Sequence, residues 1–297
     1  MKILVTGGTG FVGSHLIPEL LKEGYEVSIT TRSAEKAKSK FSAWNVNWIS
    51  WDAKSQIPSS ELQGTTHVIH LMGESVAAGR WTQAQKKRLT DSRVLSSQQL
   101  IESFKLANVV PQKWIQASAI GIYPTSDTES FDESSNYGSG FLADLCKKWE
   151  DQLNSLDKST KTLVTRISVV IGDGGVVEKV RPLFKLGLTS PLGSGEQWMS
   201  WIHVLDLVGL MLKGIKEEEF TGIVNACSSQ PVKNKEFHRA LAKKMNRPML
   251  PNVPKLILKL QLGEMSQVVL NSQKVISSRG IESNFKFNEI TDAINSL

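Results

Sequence analysis

The chain is short of what several protein classes require. Its 297 residues include two cysteines, Cys146 and Cys227. Two are too few for a disulfide framework, and neither has a His or Cys neighbour at metal-ligand spacing, so no structural disulfide and no metal are expected. Runs of about 18 consecutive apolar residues are missing, which argues against a membrane-spanning helix. MKILVT, at the start, is already a β-branched run without a charged leader or cleavage site. A cytoplasmic protein with no membrane partner is expected. Acidic residues are the minority, 29 Asp and Glu against 35 Lys and Arg, for a net charge of +6. Much of the surplus lies in short groups such as Lys36, Lys38 and Lys40, or Lys86, Lys87 and Arg88, which read as solvated helix faces. With no aromatic-studded basic groove, nucleic acid is not an expected partner, and a pocket for a phosphorylated ligand is the better use of the charge. Repeats and low-complexity tracts are absent.

What is present is an alternation of two periodicities. Ile3 to Thr6, Glu26 to Thr31, Asn47 to Trp51, Thr66 to Leu71, Lys113 to Ser118 and Thr162 to Val170 are short apolar runs bounded by turns and read as strands. Between them lie helical patterns: Phe11 to Lys22, a long one from about Thr82 to Ala107, and Gly140 to Glu150, whose Phe141, Leu142, Leu145, Cys146 and Trp149 recur three to four apart. This rhythm predicts an α/β fold, a Rossmann-type doubly wound parallel sheet. After Gly172 the texture changes to Gly- and Pro-punctuated loops, a strand at VNACS and a Lys-rich helical tail. The expected division is a dinucleotide-binding domain over residues 1–171, with contributions from about 200–226, and a smaller substrate-side lobe with a C-terminal helical module over 172–297.

The first strand runs straight into TGGTGFVGSHL, with Gly7, Gly10 and Gly13 three apart. Gly7 permits a tight turn, Gly10 lets backbone approach a pyrophosphate, and Gly13 lets the following helix pack close, its N-terminus offering free N–H donors. The second strand ends in VSITTRS, where an NAD site commonly has an acid for the ribose hydroxyls. Thr31 and Arg32 stand there instead, and a guanidinium favours the 2′-phosphate of NADP(H).

GxxGxxG after the first strand, HLMG after the fourth, SAIGIY after the fifth and WIHVLDLV in the second half together resemble the extended short-chain dehydrogenase/reductase superfamily. More narrowly, GESVAAGRW, DSRV, GFLADLCKKWE, PLGSGEQWMSWIHVLDL and QPVKNKEFHRALAKKMNRP look like an atypical, NAD-dependent epimerase/dehydratase-like branch carrying a C-terminal module of unassigned function. The resemblance implies cofactor contacts at Thr6, Gly7, Gly10, Phe11, Val12, Gly13, Arg32, Leu71, Gly73, Arg93 and Ser118, and at Asp52, whose carboxylate would accept from the adenine amino group. It also implies a Ser with a Tyr-x-x-x-Lys pair as proton relay. Here Leu142 and Cys146 stand where Tyr and Lys would, and neither can do that work.

Four groups remain as catalytic candidates. Ser118 ends the fifth strand, although counting back from Tyr123 lands on Ala119. Arg93 shares a helical stripe with Leu89, Leu100 and Phe104, so a charge points where the core should be and needs an anion. Tyr123 is either a displaced acid or a hydroxyl lining the pocket. Cys146 is expected to pack at the nicotinamide end rather than to react, since nothing in its own helix would activate a thiol. His203 and Asp206 in WIHVLDL read as structural, the acidic run from Asp127 to Glu133 as a solvated loop, and Trp81, Trp198 and Trp201 as pocket wall more than core. Two functions stand open: an NADP(H)-binding oxidoreductase or epimerase-like enzyme for an unidentified small molecule, and a catalytically silent NADPH-binding sensor or assembly module.

Overall fold

A computed structural model describes residues 1–185, 187 and 189–297. Seven parallel strands form one sheet: β1 (Lys2–Thr6), β2 (Glu26–Thr31), β3 (Asn47–Ser50), β4 (Thr65–His70), β5 (Lys113–Ala119), β6 (Lys161–Ile167) and β7 (Gly222–Ala226). Their order is β7-β6-β5-β4-β1-β2-β3, so the winding direction reverses between β1 and β4. Sheets of this kind bind ligands in the crevice beyond the carboxyl ends of those two strands.

Strand alternation divides the apolar side chains between the two faces. Ile3 and Val5 of β1 pack with Ile29, Ile69, Ile115 and Leu163 against helix α1 (Phe11–Lys22) and the later helix Val204–Lys216. Leu4 points the other way, to Val68, Trp114 and the Leu100–Phe104 stripe. This is the doubly wound fold that the alternating pattern predicts.

The long helix is modified at one informative place. It runs as α2 (Gln83–Thr90) and α3 (Ser96–Leu106), joined by a π-helical turn over Asp91–Leu95 that contains Arg93. Such a turn inserts one residue into the ladder and re-aims the side chains within it. The expected strand from Thr162 to Val170 also divides. After Ile167 the Ser168 hydroxyl donates to Ala226 O at 2.8 Å, and Val169–Ile171 leaves the main sheet to pair with Trp201–His203.

Beyond the sheet, Ile171, Trp201, Phe237, Leu241, Ile290 and Ile294 make a separate apolar cluster. Trp201 is 0% exposed there, so it is core rather than pocket wall, while Trp81 is buried against Phe141 with ring centroids 5.1 Å apart. His203 and Asp206 fasten the C-terminal module. The His203 ring packs on Phe287 with centroids 3.8 Å apart and planes tilted by 35°, and the Asp206 carboxylate accepts from the amides of Lys286 and Phe287 at 2.7 and 3.0 Å. The run DTESFDE is not simply solvated: Ser130–Phe131 pairs with Lys274–Val275, and Glu133 accepts from Asn225 N, Ser277 Oγ and Ser278 N. Although burial opposes it, these bonds hold the Glu133 carboxyl below its usual range.

Candidate functional site

The glycine turn is built by close approach. Gly7 has φ +71°, and a Cβ on it would lie 2.9 Å from the Leu71 carbonyl carbon, so the ends of β1 and β4 abut. A Cβ on Gly13 would stand 2.5 Å from Gly7 O, which ties the first turn of α1 to the loop. The Gly10 amide donates to Gly7 O at 3.0 Å. Gly10 caps α1 without a side-chain bond, and the first turn carries no acid. The amides of Phe11, Val12 and Gly13 therefore remain available to an anion at the positive end of the helix. The Phe11 ring itself is turned away, wedged against Gly172, Gly174 and Gly175. Thr6 lies within the sheet, its hydroxyl 2.5 Å from His70 Nδ1, so only its backbone faces the loop.

Arg32 follows β2 as an exposed side chain with no hydrogen bond or ion pair to any described residue. Asp52 follows β3, and its Oδ1 accepts from Lys54 N at 2.8 Å, Ser55 N at 3.0 Å and Ser55 Oγ at 2.9 Å. Those bonds hold its carboxyl below the ordinary range. Oδ2 has no protein partner among the described residues.

After β4 the Leu71 amide donates to Thr6 O at 3.1 Å, and the chain runs on through Gly73. Arg93 lies directly beneath: a Cβ on Gly73 would be 2.9 Å from the Arg93 Cζ. The guanidinium sits 5.1 Å from the Trp149 ring centroid, with Nη1 donating to Leu89 O at 3.2 Å. Burial pulls its pKa below the usual arginine value, with only the Cys146 thiol and Glu74 opposing. Glu74 is turned toward Gln85 and Arg88, and no carboxylate forms an ion pair with Arg93 among the described residues.

Cys146 lies on helix α4 (Phe141–Asp151), 5% exposed, among Ile120, Ile122, Tyr123 and Phe131. Burial pushes its thiol up to about 12, against the nearby Arg93 charge. At pH 8 a thiol of that pKa is ionised to roughly one part in ten thousand. Alkylation of Cys146 by iodoacetamide is therefore expected to be far slower than that of an unfolded-chain cysteine, and slower still with NADPH present. Rapid labelling at Cys146 in peptide mass spectra would make the thiol a reactive group.

Ser118 and Tyr123 meet in a place that neither suggested in sequence. Ser118 Oγ donates to Glu150 Oε1 at 2.5 Å. Arg166 on β6, 0% exposed, donates to the same carboxylate through Nε at 3.0 Å and Nη2 at 2.8 Å, and through Nη1 to the Tyr123 hydroxyl at 2.8 Å. Tyr123 donates in turn to Asn225 Oδ1 at 2.7 Å. Both hydroxyls are thus spent in a buried network. Burial raises the Tyr123 pKa, although Arg166 opposes it. Ser118 is thus turned under helix α4, and Tyr123 braces Asn225 while also lining the cleft described next.

A cleft of about 570 Å³ opens beside this network, lined by Gly121, Tyr137, Ser139, Leu142, Gln267 and Asn271 among others. Leu142 places an apolar wall where a tyrosine relay would stand. Tyr123 and Tyr137 both line the cleft; Tyr137 is the exposed one, at 48%, and its hydroxyl accepts from Arg166 Nη2 at 3.4 Å. It was missed in sequence because it sits in the Ser/Gly loop ahead of α4, outside any periodic pattern. Gln267 and Asn271 come from the C-terminal module, 125 or more residues further on, with no local signal linking them to the site.

Comparison with known proteins agrees with this construction. The family model described as "NAD dependent epimerase/dehydratase family" matches residues 3–227, and a "Domain of unknown function (DUF1731)" matches 253–294. A chloroplastic epimerase family protein SDR39U1 homolog of Arabidopsis thaliana is 34% identical over all of this chain and 86% of its own length. Epimerase family protein YfhF of Bacillus subtilis is 31% identical over 97% of this chain and 94% of its own. The crystal structure of human epimerase family protein SDR39U1 (isoform 2), with NADPH, superposes with a TM-score of 0.87 at 29% identity, covering 100% of this chain and 98% of that one. With a glycine cradle at the switch point of a seven-stranded parallel sheet and a matching model across its first three quarters, the chain belongs to the NAD dependent epimerase/dehydratase family, as an SDR39U1-like, nicotinamide-dinucleotide-binding protein.

Proposed function

We propose that the protein binds NADP(H) and acts, as an oxidoreductase or epimerase-like enzyme, on a small molecule held in the cleft beside Leu142. The observation that carries the choice of nucleotide is Arg32, an exposed guanidinium without a protein partner at the carboxyl end of β2. The residues fit such a cofactor. Amides of Phe11, Val12 and Gly13 face a pyrophosphate, Arg32 a 2′-phosphate, and Asp52 Oδ2 an adenine amino group. The bound cofactor would supply a hydride at the cleft. The NADPH in the human relative supports the same assignment.

The chain's own contribution at the cleft is mostly exclusion and orientation. Leu142 gives one side of the cleft an apolar wall beside Gly121. Ser118 and Tyr123 are hydrogen-bonded into the scaffold and Cys146 is a packed thiol, so none of the three is poised as the proton donor. A proton would come from water or from the Tyr137 hydroxyl. The same observations favour a second reading, a catalytically silent NADPH sensor or assembly module.

NADPH oxidation followed against a panel of carbonyl metabolites separates the two. Turnover with any of them establishes the enzyme, and tight NADPH binding without turnover across the panel establishes the sensor. No epimerisation of UDP-glucose is expected in either case. Product from it at ordinary enzyme rates would show that a proton relay exists in groups not identified above.

A further inference from the structure

Every residue lining the cleft beside Leu142 is uncharged. Two of them, Gln267 and Asn271, carry carboxamides with no hydrogen bond to any described residue, and the Ser139 hydroxyl is likewise without a partner among them. Neighbouring glutamines are spent on the scaffold instead: Gln273 Nε2 donates to Tyr123 O at 2.7 Å, and Gln197 Nε2 to Leu192 O at 2.9 Å and Val269 O at 3.0 Å.

The two carboxamides are held in place by construction. They stand four residues apart, at the start and just past the end of the helical turn Gln267–Leu270, where the Asn271 amide donates to Gln267 O at 3.0 Å. That spacing puts both side chains on one face. Immediately afterwards the chain is sewn to the loop that follows β5. Ser272 N donates to Thr125 Oγ1 at 2.9 Å, and Ser272 O accepts from Thr125 Oγ1 at 3.1 Å and from Ser126 N at 2.8 Å. The C-terminal module thus presents Gln267 and Asn271 to the cleft across a hydrogen-bonded seam.

Charges behind the lining are neutralised within the protein. The guanidinium 5.2 and 5.3 Å from the Tyr123 and Tyr137 rings is that of Arg166, paired with Glu150 at 2.8 Å. Lys86 lies 5.3 Å from the ring of Phe141, next to Leu142, and is paired with Glu264. A phosphate or carboxylate entering the cleft would give up hydration with no lining cation to replace it. A carboxamide offers two donors and an acceptor, and a hydroxyl offers both roles, which matches a ligand whose own groups are hydroxyls. The exposed Tyr137 ring adds a face for the apolar C–H side of such a molecule.

We infer that the cleft takes an uncharged polyhydroxylated compound of the free-sugar class, and that Gln267 and Asn271 of the C-terminal module read its hydroxyls. A phosphorylated or nucleotide-linked sugar is selected against. The inference rests on the proposed NADP(H)-dependent function and deepens it by naming the ligand class of the same cleft.

Binding to the NADPH-loaded protein is measured by ligand-observed NMR and calorimetry with three matched pairs: D-fructose and fructose 6-phosphate, D-xylulose and xylulose 5-phosphate, and D-glucose and UDP-glucose. In at least one pair the uncharged member is expected to bind roughly tenfold or more tightly, and in none the charged member. Gln267→Leu and Asn271→Leu should each weaken the uncharged ligand roughly 5- to 30-fold and leave NADPH within about twofold. Gln267→Arg, which supplies the missing cation, should bind the charged member of that pair roughly tenfold more tightly than the unmodified protein does. Melting temperatures of all three variants establish that each is folded, and any one of them that is suffices for the comparison.

Tighter binding of a charged member by the unmodified protein overturns the inference, as does an uncharged ligand held equally well by the unmodified protein and the folded leucine variants. If NADPH binds and no member of any pair does, the ligand class is wrong while the cofactor reading stands. If NADPH does not bind, the cofactor reading fails, and the ligand class stands or falls on the same pairs measured without it.

Discussion

Glu150→Ala is expected to destabilise the protein by about 3–5 kcal/mol, the usual cost of breaking a buried ion pair from one side. For a chain of this length that corresponds to a melting temperature roughly 5–8 °C lower. The Arg166 side chain is 0% exposed and the Glu150 side chain 11%. Hydrogen bonds and the Glu150 charge hold the guanidinium pKa above its ordinary value even though burial opposes it. Removing Glu150 would leave that charge with two phenols, Tyr123 and Tyr137, and the Ser118 hydroxyl would lose its acceptor as well. Replacing both partners, Glu150→Leu with Arg166→Met, should recover much of the loss, because no uncompensated charge remains. Thermal unfolding of the three variants, with and without NADPH, tests the assignment. A Glu150→Ala protein as stable as the unmodified one, but deficient in turnover, would return Ser118 and Glu150 to the chemistry and remove them from the scaffold.

That network also shows where sequence reasoning stops. Strands, the glycine turn and the two faces of the sheet were legible because each depends on local periodicity: Ile3 and Val5 face one way, Leu4 the other, and Gly7, Gly10 and Gly13 recur every three residues. The inward placement of Arg93 was legible for the same reason, as a charge within an apolar stripe, but not the π-helical turn that aims it. The bonds that engage Ser118 and Tyr123 depend on partners 32 and 102 residues away, Glu150 and Asn225. No spacing rule reports such pairings. The bonds of Glu133 are equally invisible in sequence, since its donors Asn225, Ser277 and Ser278 are far along the chain and the strand pairing of Lys274–Val275 brings them near.

One consequence for the site is a separation of tasks along α4. Cys146 and Trp149 face Arg93 and the crevice side, Glu150 faces the buried network, and Leu142 walls the cleft. The helix therefore contacts the Arg93 side chain, the scaffold and the cleft at once. Substitutions on it should differ in kind: at Glu150 in stability, at Cys146 in cofactor affinity, and at Leu142 in what the cleft admits.

NADPH is expected to bind more tightly than NADH, and Arg32→Ala should erase most of the difference, weakening NADPH roughly 10- to 150-fold while changing NADH little. The argument begins with geometry. Arg32 follows β2, whose Thr31 pairs with Ser50 of β3, and no acid stands at that strand end to bind ribose hydroxyls. Ser33 is engaged as the cap of the helix Ala34–Lys40, which holds the backbone after Arg32 in an extended conformation. The guanidinium itself has no protein partner to give up, so a 2′-phosphate gains its planar, paired hydrogen bonds at little cost. Because the side chain is exposed, the gain is screened by salt and should shrink as ionic strength rises. The pH dependence has a definite sign. A phosphate monoester has a second pKa near 6, so the preference for NADPH should be greatest above about pH 6 and should fall as the phosphate takes up a proton below it. Calorimetric titrations of both nucleotides at two salt concentrations and two pH values test each part. Equal affinities for NADPH and NADH in the unmodified protein would refute the assignment of Arg32. A preference that survives Arg32→Ala would move the 2′-phosphate site elsewhere on the rim of the crevice.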